Sequence, residues 1–221
     1  MGESLTAQQV RDRSIAAMPV PLGEEHYALL NEVTWLHVKW ADFRSLYADS
    51  PAAVDLLNTA APAFFGELQR MMWEDVLLHL CRLTDPPKSF GHDNLSVRRL
   101  PELVPKPAVK KQLQSLADDA ESKTAFARDW RNRRLAHKDL QLAIGSTAQQ
   151  LETASRQHVE DALAAIRRIM NCIEQEYLKC PMSYALAIEP LGGVASLLLR
   201  LRKGIDAERV ECEKLLRGNT P

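Results

Sequence analysis

The fold class this sequence predicts is an all-α helical bundle of about five to seven helices. Three observations carry that expectation. Apolar residues recur at three- and four-residue steps through most of the chain, as on a helix with one buried face. No stretch alternates apolar and polar residues as a half-buried strand would. Asp-Ser-Pro and Asp-Pro-Pro clusters interrupt the periodic segments at places that suit helix ends. At 221 residues, 46% of them hydrophobic, the chain can bury a core of its own, and one domain is the natural expectation.

Residues 1–22 read as an N-terminal arm, loose or weakly helical, closed by "PVPLG". A first long helix is expected from Glu24 to Ala48, with Leu29, Leu30, Val33, Leu36, Trp40, Phe43 and Tyr47 on its apolar side. "DSP" breaks it at 49–51, and a short piece follows to Ala60. Pro62 then suits the first turn of a helix reaching Thr84. Along that helix Phe64, Leu68, Met71 and Met72 read as the core stripe, and Asp75, His79 and Arg82 continue the same face. "DPP" stops it at 85–87. Gly91, Pro101, Pro105 and Pro107 make 88–107 a loop with one short helix. A helix from Ala108 to Lys138 comes next, then the polar linker "AIGSTAQQ", then helices over roughly 155–178 and 193–216. The division expected is an arm over 1–22, a helical domain over 23–180, and a C-terminal helix over 181–221. In that last helix Val194, Leu198, Leu201, Ile205, Cys212 and Leu215 stand near heptad spacing, which suits packing on the bundle or on a second copy. Gly204 weakens an extended coil.

A formal net charge of -1 leaves no global basic footprint, so any nucleic-acid contact has to come from a local patch. The four cysteines have no metal-ligand spacing and read as reduced thiols. The N-terminus lacks an apolar signal core and no apolar run is long enough to span a bilayer, so a cytoplasmic protein away from membranes is expected. His79, on an apolar stripe, reads as a satisfied core residue; His26, His37, His92 and His158 share no spacing with Cys, Asp or Glu that would build a metal site, and "GHDN" at 91–94 reads as a turn. No Gly-rich phosphate loop or nucleophile elbow occurs, so neither metal nor cofactor is expected. Trp35, Trp40, Trp73 and Trp130 read as core anchors.

Chemistry concentrates in "DWRNRRLAHKD", residues 129–139. On a helical wheel Leu113, Leu116, Ala120, Thr124 and Ala127 form one stripe, and Arg131 continues it. An arginine on a core-facing stripe needs a carboxylate, a carbonyl or an anionic ligand, and Asp75 of the preceding long helix is the expected partner. Phe126, Trp130, Arg133 and His137 form a second stripe about 120° away. Histidine exchanges protons near neutral pH, and arginine grips phosphate with a planar fork. Basic residues are also ordinary at a helix end, where they meet the negative pole of the dipole. A structural salt bridge for Arg131, and a dipole role for Arg133, Arg134, His137 and Lys138, therefore stay open.

"RDWRNRRLAHKD" resembles the R-x4-6-H motif of the HEPN superfamily (higher eukaryotes and prokaryotes nucleotide-binding domain), in the form with Asn after Arg. Arg131, Asn132 and His137 match it. The "RLTDPP" helix end and the "RNRRLAHKD" segment closing a central helix are similar to the abortive-infection branch, over residues 24–180. The resemblance implies a metal-independent endoribonuclease, a toxin or phage-defence effector, in which Arg131 and His137 of both protomers of a homodimer line one cleft. It implies RNA as substrate, a 2',3'-cyclic phosphate product, and an antitoxin or nucleotidyltransferase as silencing partner. Asn132 would orient the histidine or hold a phosphate oxygen, and Arg133, Arg134 and Lys138 would add phosphate affinity without reading sequence. Because Arg131 and His137 diverge by about 120° on a straight helix, one pair needs a distortion or a second subunit to clasp a phosphate. The alternative is a catalytically silent module binding RNA, a nucleotide or a protein, since many members of the superfamily keep the fold and lose the chemistry.

Overall fold

Helix-forming sequence dominates, and the computed structural model of the chain, which describes residues 6–89, 91–135, 151–184 and 192–218, is all-α in class. The N-terminal arm is more ordered than its polarity suggested. It forms α1 (Ala7–Ala17) behind a capping box. Thr6 Oγ1 accepts from the Gln9 N–H at 3.2 Å, while Gln9 Oε1 accepts from the Thr6 N–H at 2.8 Å. That exchange satisfies two backbone donors that a helix start otherwise leaves open.

α2 (Leu22–Tyr47) buries Leu29, Leu30, Val33, Leu36, Trp40 and Phe43, the stripe its spacing predicted. α3 (Pro51–Ala60) starts on the Ser50 side-chain cap with Pro51 in its first turn. In α4 (Pro62–Thr84) the core face matches the expected one only in part. Leu68 and Met72 pack against the core, but the buried residues are Phe65, Val76, Leu77, Leu80, Cys81 and Leu83, and Phe64 and Met71 are 64% and 54% exposed. Apolar pairs such as Phe64-Phe65 and Met71-Met72 occur on adjacent sides of this helix, so periodicity alone could not choose the face. Of the polar residues assigned to that stripe, His79 is buried beside Glu32, its Nε2 at 3.0 Å, while Asp75 is half-buried and Arg82 exposed. Trp35 is 61% exposed and is not a core anchor.

The stretch after "DPP" holds one pair of short strands where a loop was expected. β1 (Lys88–Ser89) and β2 (His92–Asp93) pair antiparallel around Gly91, whose φ of +80° suits glycine. Asn94 closes the loop through its N–H to the Pro87 carbonyl and its Nδ2 to the Pro86 carbonyl, both 2.8 Å. Strands of two residues are too short to show alternation in sequence. A 3-10 turn (Val97–Arg99) leads into α5 (Leu100–Leu103). The single helix expected over 108–138 is divided into α6 (Pro107–Lys123), α7 (Ala125–Trp130) and a π turn (Arg131–Leu135). The break falls at Thr124, whose hydroxyl bonds back to the Ala120 and Glu121 carbonyls at 2.8 and 3.2 Å. Such back-bonding competes with the regular ladder. α8 (Arg156–Tyr177) and α9 (Val194–Gly218) complete the chain.

The chain divides into two compact units, Met1–His37 with Glu74–Leu186, and Val38–Trp73 with Ala187–Pro221. In the first, α6 packs on α8, which buries Val159, Leu163, Ile166, Ile169 and Ile173 on one face at i, i+3 and i+4 steps. In the second, Leu46, Leu57, Phe65 and Val194 form the core, with Leu198 and Leu201 packed against it. The first turns of α9 thus pack on α3, while Val210, Leu215 and Leu216 further along it are exposed. Among the described residues no helix is long and apolar enough to cross a membrane.

Candidate functional site

α4 ends because Pro86 and Pro87 follow Thr84 and Asp85; a proline ring clashes with the preceding turn and offers no N–H. That leaves the Asp85 carboxylate beside the last carbonyls of α4, where the helix dipole is already negative. A cation is needed there, and Arg131 supplies it. Its Nη1 donates to both Asp85 oxygens, at 2.7 and 2.8 Å, and its Nε donates to Asn132 Oδ1 at 3.1 Å. The carboxylate that holds Arg131 is therefore Asp85 and not Asp75. The two acids are ten positions apart, about 15 Å along a helix axis, which is longer than an arginine side chain. Burial draws the Arg131 guanidinium down, but the hydrogen bonds and charge of Asp85 outweigh it and leave its pKa above the ordinary value. Nη2 of Arg131 has no hydrogen-bond partner among the described residues, and the side chain is 27% exposed.

Behind this pair lies a polar network that joins the end of α4 to the break between α6 and α7. The Thr84 and Thr124 hydroxyls are 2.9 Å apart, and Arg128 Nη1 donates to both, at 3.1 and 2.9 Å. Arg128 Nη2 donates to the Glu121 carbonyl. Arg98 pairs with the Glu121 carboxylate at 2.7 Å, and Ser96 Oγ donates to the Asp85 carbonyl at 2.6 Å. Burial lowers the Arg128 pKa. Cys81, one turn before Asp85, is buried, and that burial pushes its thiol up to about 11, so it is a neutral wall and not a nucleophile. Removing Arg128 leaves two threonine hydroxyls and a carbonyl without their cation. Arg128→Ala is expected to lose about 2 kcal/mol of stability in urea unfolding, with Arg128→Met losing nearly as much because the stem is not what matters. An Arg128→Ala transition at the wild-type midpoint would show the network to be idle.

The remaining motif residues have local partners. Arg133 reaches Asp129 at 3.5 Å, and the other Asp129 oxygen accepts from the Glu152 N–H at 2.9 Å. Trp130 Nε1 donates to the Glu152 carbonyl at 2.8 Å, and the Arg134 guanidinium stands 5.1 Å from the centre of the Trp130 ring. The chain past residue 150 is thereby tied back onto α7. Arg131, Asn132, Arg133 and Arg134 all lie on the π turn, a rare form that interrupts helices frequently at functional sites. His137 and Lys138 lie outside the described residues. The structure thus brings Arg131 and Asn132 together, leaves Asp75 apart from them, and adds Asp85, Arg128, Thr84 and Thr124. "DPP" signalled only a helix stop in the sequence, although an acid at that end already called for a cation. Thr124 on an apolar stripe was the other usable signal. Among the described residues no three His, Cys, Asp or Glu side chains gather as a metal site.

No curated protein and no solved structure matches the chain. The HEPN_AbiU2 family model, described as AbiU2, matches residues 20–197, which takes in every helix from α2 to the first turn of α9. That span is well over half the chain, and it contains both the Asp85–Arg131 pair and the whole of the Arg-Asn to His segment. The chain belongs to the AbiU2 family of the HEPN superfamily, a family associated with abortive infection.

Proposed function

We propose that the protein is a metal-independent endoribonuclease of the HEPN type, a toxin or phage-defence effector that cuts RNA through Arg131 and His137 in a homodimer cleft. The observation that carries this reading is how Arg131 is held. Asp85 takes Nη1, Asn132 takes Nε, and Nη2 has no partner among the described residues, so a fixed guanidinium retains an edge for a phosphate oxygen. His137 would take the proton from the ribose 2'-hydroxyl, which attacks the adjacent phosphorus. The 5'-oxygen takes a proton from a His137 imidazolium of the dimer and leaves as a hydroxyl, and a 2',3'-cyclic phosphate remains. Arg131 would carry the charge that develops on the phosphorane oxygens. Arg133, Arg134 and Lys138 add backbone affinity that falls with salt.

The alternative, a catalytically silent module, has its own support. The Asp85–Arg131 pair also suits a purely structural arginine in a module that binds RNA, a nucleotide or a protein without cutting. Incubating purified protein with mixed RNA in excess EDTA and analysing the end groups separates the two. Cleavage leaving 2',3'-cyclic phosphate and 5'-hydroxyl ends is the expected result. Salt-sensitive RNA binding with no product, in protein freed of any co-purifying partner, would favour the silent module.

A further inference from the structure

A cavity in the first unit shares no residue with the Arg131 site. Its volume is about 230 Å³, and α1, the start of α2, the end of α8 and residues 180–182 enclose it. Val10, Leu30, Leu178, Pro181 and Met182 give it hydrocarbon walls. Arg13, Cys180, Pro181 and Met182 are exposed, which gives it a mouth to solvent. Three buried polar residues, Ser14, His26 and Glu174, also belong to its lining. Both Glu174 oxygens are already taken, Oε2 by the Met182 N–H at 2.6 Å and Oε1 by the Tyr184 hydroxyl. Those two bonds pin the 182–184 wall to α8. The His26 nitrogens are shut off from solvent, with Nε2 3.5 Å from Glu174 Oε1.

The opposite wall is fixed as well. A β-carbon on Gly23 would stand 2.8 Å from the Ile15 Cα and 2.9 Å from the Ser14 carbonyl oxygen, so glycine lets α1 sit directly on the start of α2. Walls held at both ends relax only partly towards each other, and the space between them stays open. Its surface is almost all hydrocarbon. A charge or a hydroxyl entering it would lose its water and find no free group to replace it. The guest that suits such a cavity is neutral and apolar. Its size follows from the volume. A cavity of about 150 Å³ holds benzene, and drug-sized sites begin near ~300 Å³. At about 230 Å³ the fit is one aromatic ring with a short alkyl chain.

We propose that this cavity is a binding site for a small neutral aromatic hydrocarbon, seated against Val10, Leu30, Leu178 and Met182. Ethylbenzene, benzyl alcohol and benzylamine test it on the full chain, because they share a shape and differ only in a methyl, a hydroxyl or an ammonium group. Titration calorimetry and thermal shift in sealed cells are the readouts. Ethylbenzene is expected to bind with a Kd on the order of 0.1 to 1 mM and to raise Tm. The alcohol and the amine should be at least about tenfold weaker. Val10→Trp and Leu178→Trp fill the cavity from α1 and from α8, and each should weaken ethylbenzene at least about tenfold. Either variant serves if the other does not fold, and the three probes decide on the wild-type chain alone if neither does. Alcohol or amine binding as tightly as the hydrocarbon would overturn the proposal. So would ethylbenzene binding unchanged in a folded variant, or no ethylbenzene binding up to about 1 mM.

Discussion

His137→Ala is expected to lower RNA cleavage by about two to four orders of magnitude while leaving the unfolding midpoint near the wild-type value. Arg131→Ala is expected to do the same to the rate, but its effect on stability separates chemistry from scaffolding. Breaking a fully buried ion pair costs about 3 to 5 kcal/mol. Here the Arg131 and Asp85 side chains are 27% and 23% exposed, so solvent screens the orphaned carboxylate. The loss should be nearer about 1 kcal/mol, read in urea unfolding. A protein several kcal/mol stable stays folded after that loss, so a rate reduced a hundredfold or more would have to come from the phosphate contact. Arg131→Lys should restore stability better than activity. An ammonium can still meet Asp85 but cannot give the planar fork that takes Asp85, Asn132 and a phosphate oxygen together. Full cleavage by purified His137→Ala protein would end this mechanism. A rate that recovers with Arg131→Lys would reduce Arg131 to a point charge.

What could be read from the sequence follows from how each residue signals its environment. The stripe of α2 was legible because Leu29, Val33, Leu36, Trp40 and Phe43 share one face and polar residues occupy much of the rest. On α4 the apolar residues run round the helix, so of the expected stripe Leu68 and Met72 pack on the core while Phe64 and Met71 are exposed. Helix ends were legible wherever proline enforces them, at Pro51, Pro62 and Pro86. The break at Thr124 was not, since it arises from a threonine hydroxyl that meets Thr84 forty residues away. In the site, Arg131 announced itself by standing on a core stripe. Its partner did not, because Asp75 in the body of α4 and Asp85 just past its end are both acids on the preceding helix segment, and only the packing of the π turn selects between them. His26, whose Nε2 lies 3.5 Å from Glu174 Oε1, is too far from it in sequence for any local spacing to join them.

Acidification is expected to destabilise the protein by roughly 3 kcal/mol between pH 6.5 and about 4 through His37 alone. His37 is 5% exposed, its Nε2 has no hydrogen-bond partner among the described residues, and its ring stands 6.0 Å from that of Tyr184. Burial, and after it the positive charge of Arg167, lowers its pKa from 6.5 to about 4. Above pH 6.5 the imidazole is neutral in both the folded and the unfolded chain and the term vanishes. Between 6.5 and about 4 the unfolded chain binds the proton and the folded one does not, so stability falls as pH falls. Below the folded value both are protonated and the loss is complete. Urea unfolding at pH 7 and pH 4.5 checks this against His37→Phe, which keeps a ring beside Tyr184 but cannot titrate. The variant should lose most of that pH dependence; an unchanged slope would assign it to other groups. The same term bears on the enzymology. A cleavage rate that falls below pH 6.5 is the profile expected of a histidine base, and it is also the profile of a fold losing stability through His37. Measuring the pH–rate profile in the His37→Phe background separates them. A falling limb that persists there belongs to His137, and one that disappears belongs to the core.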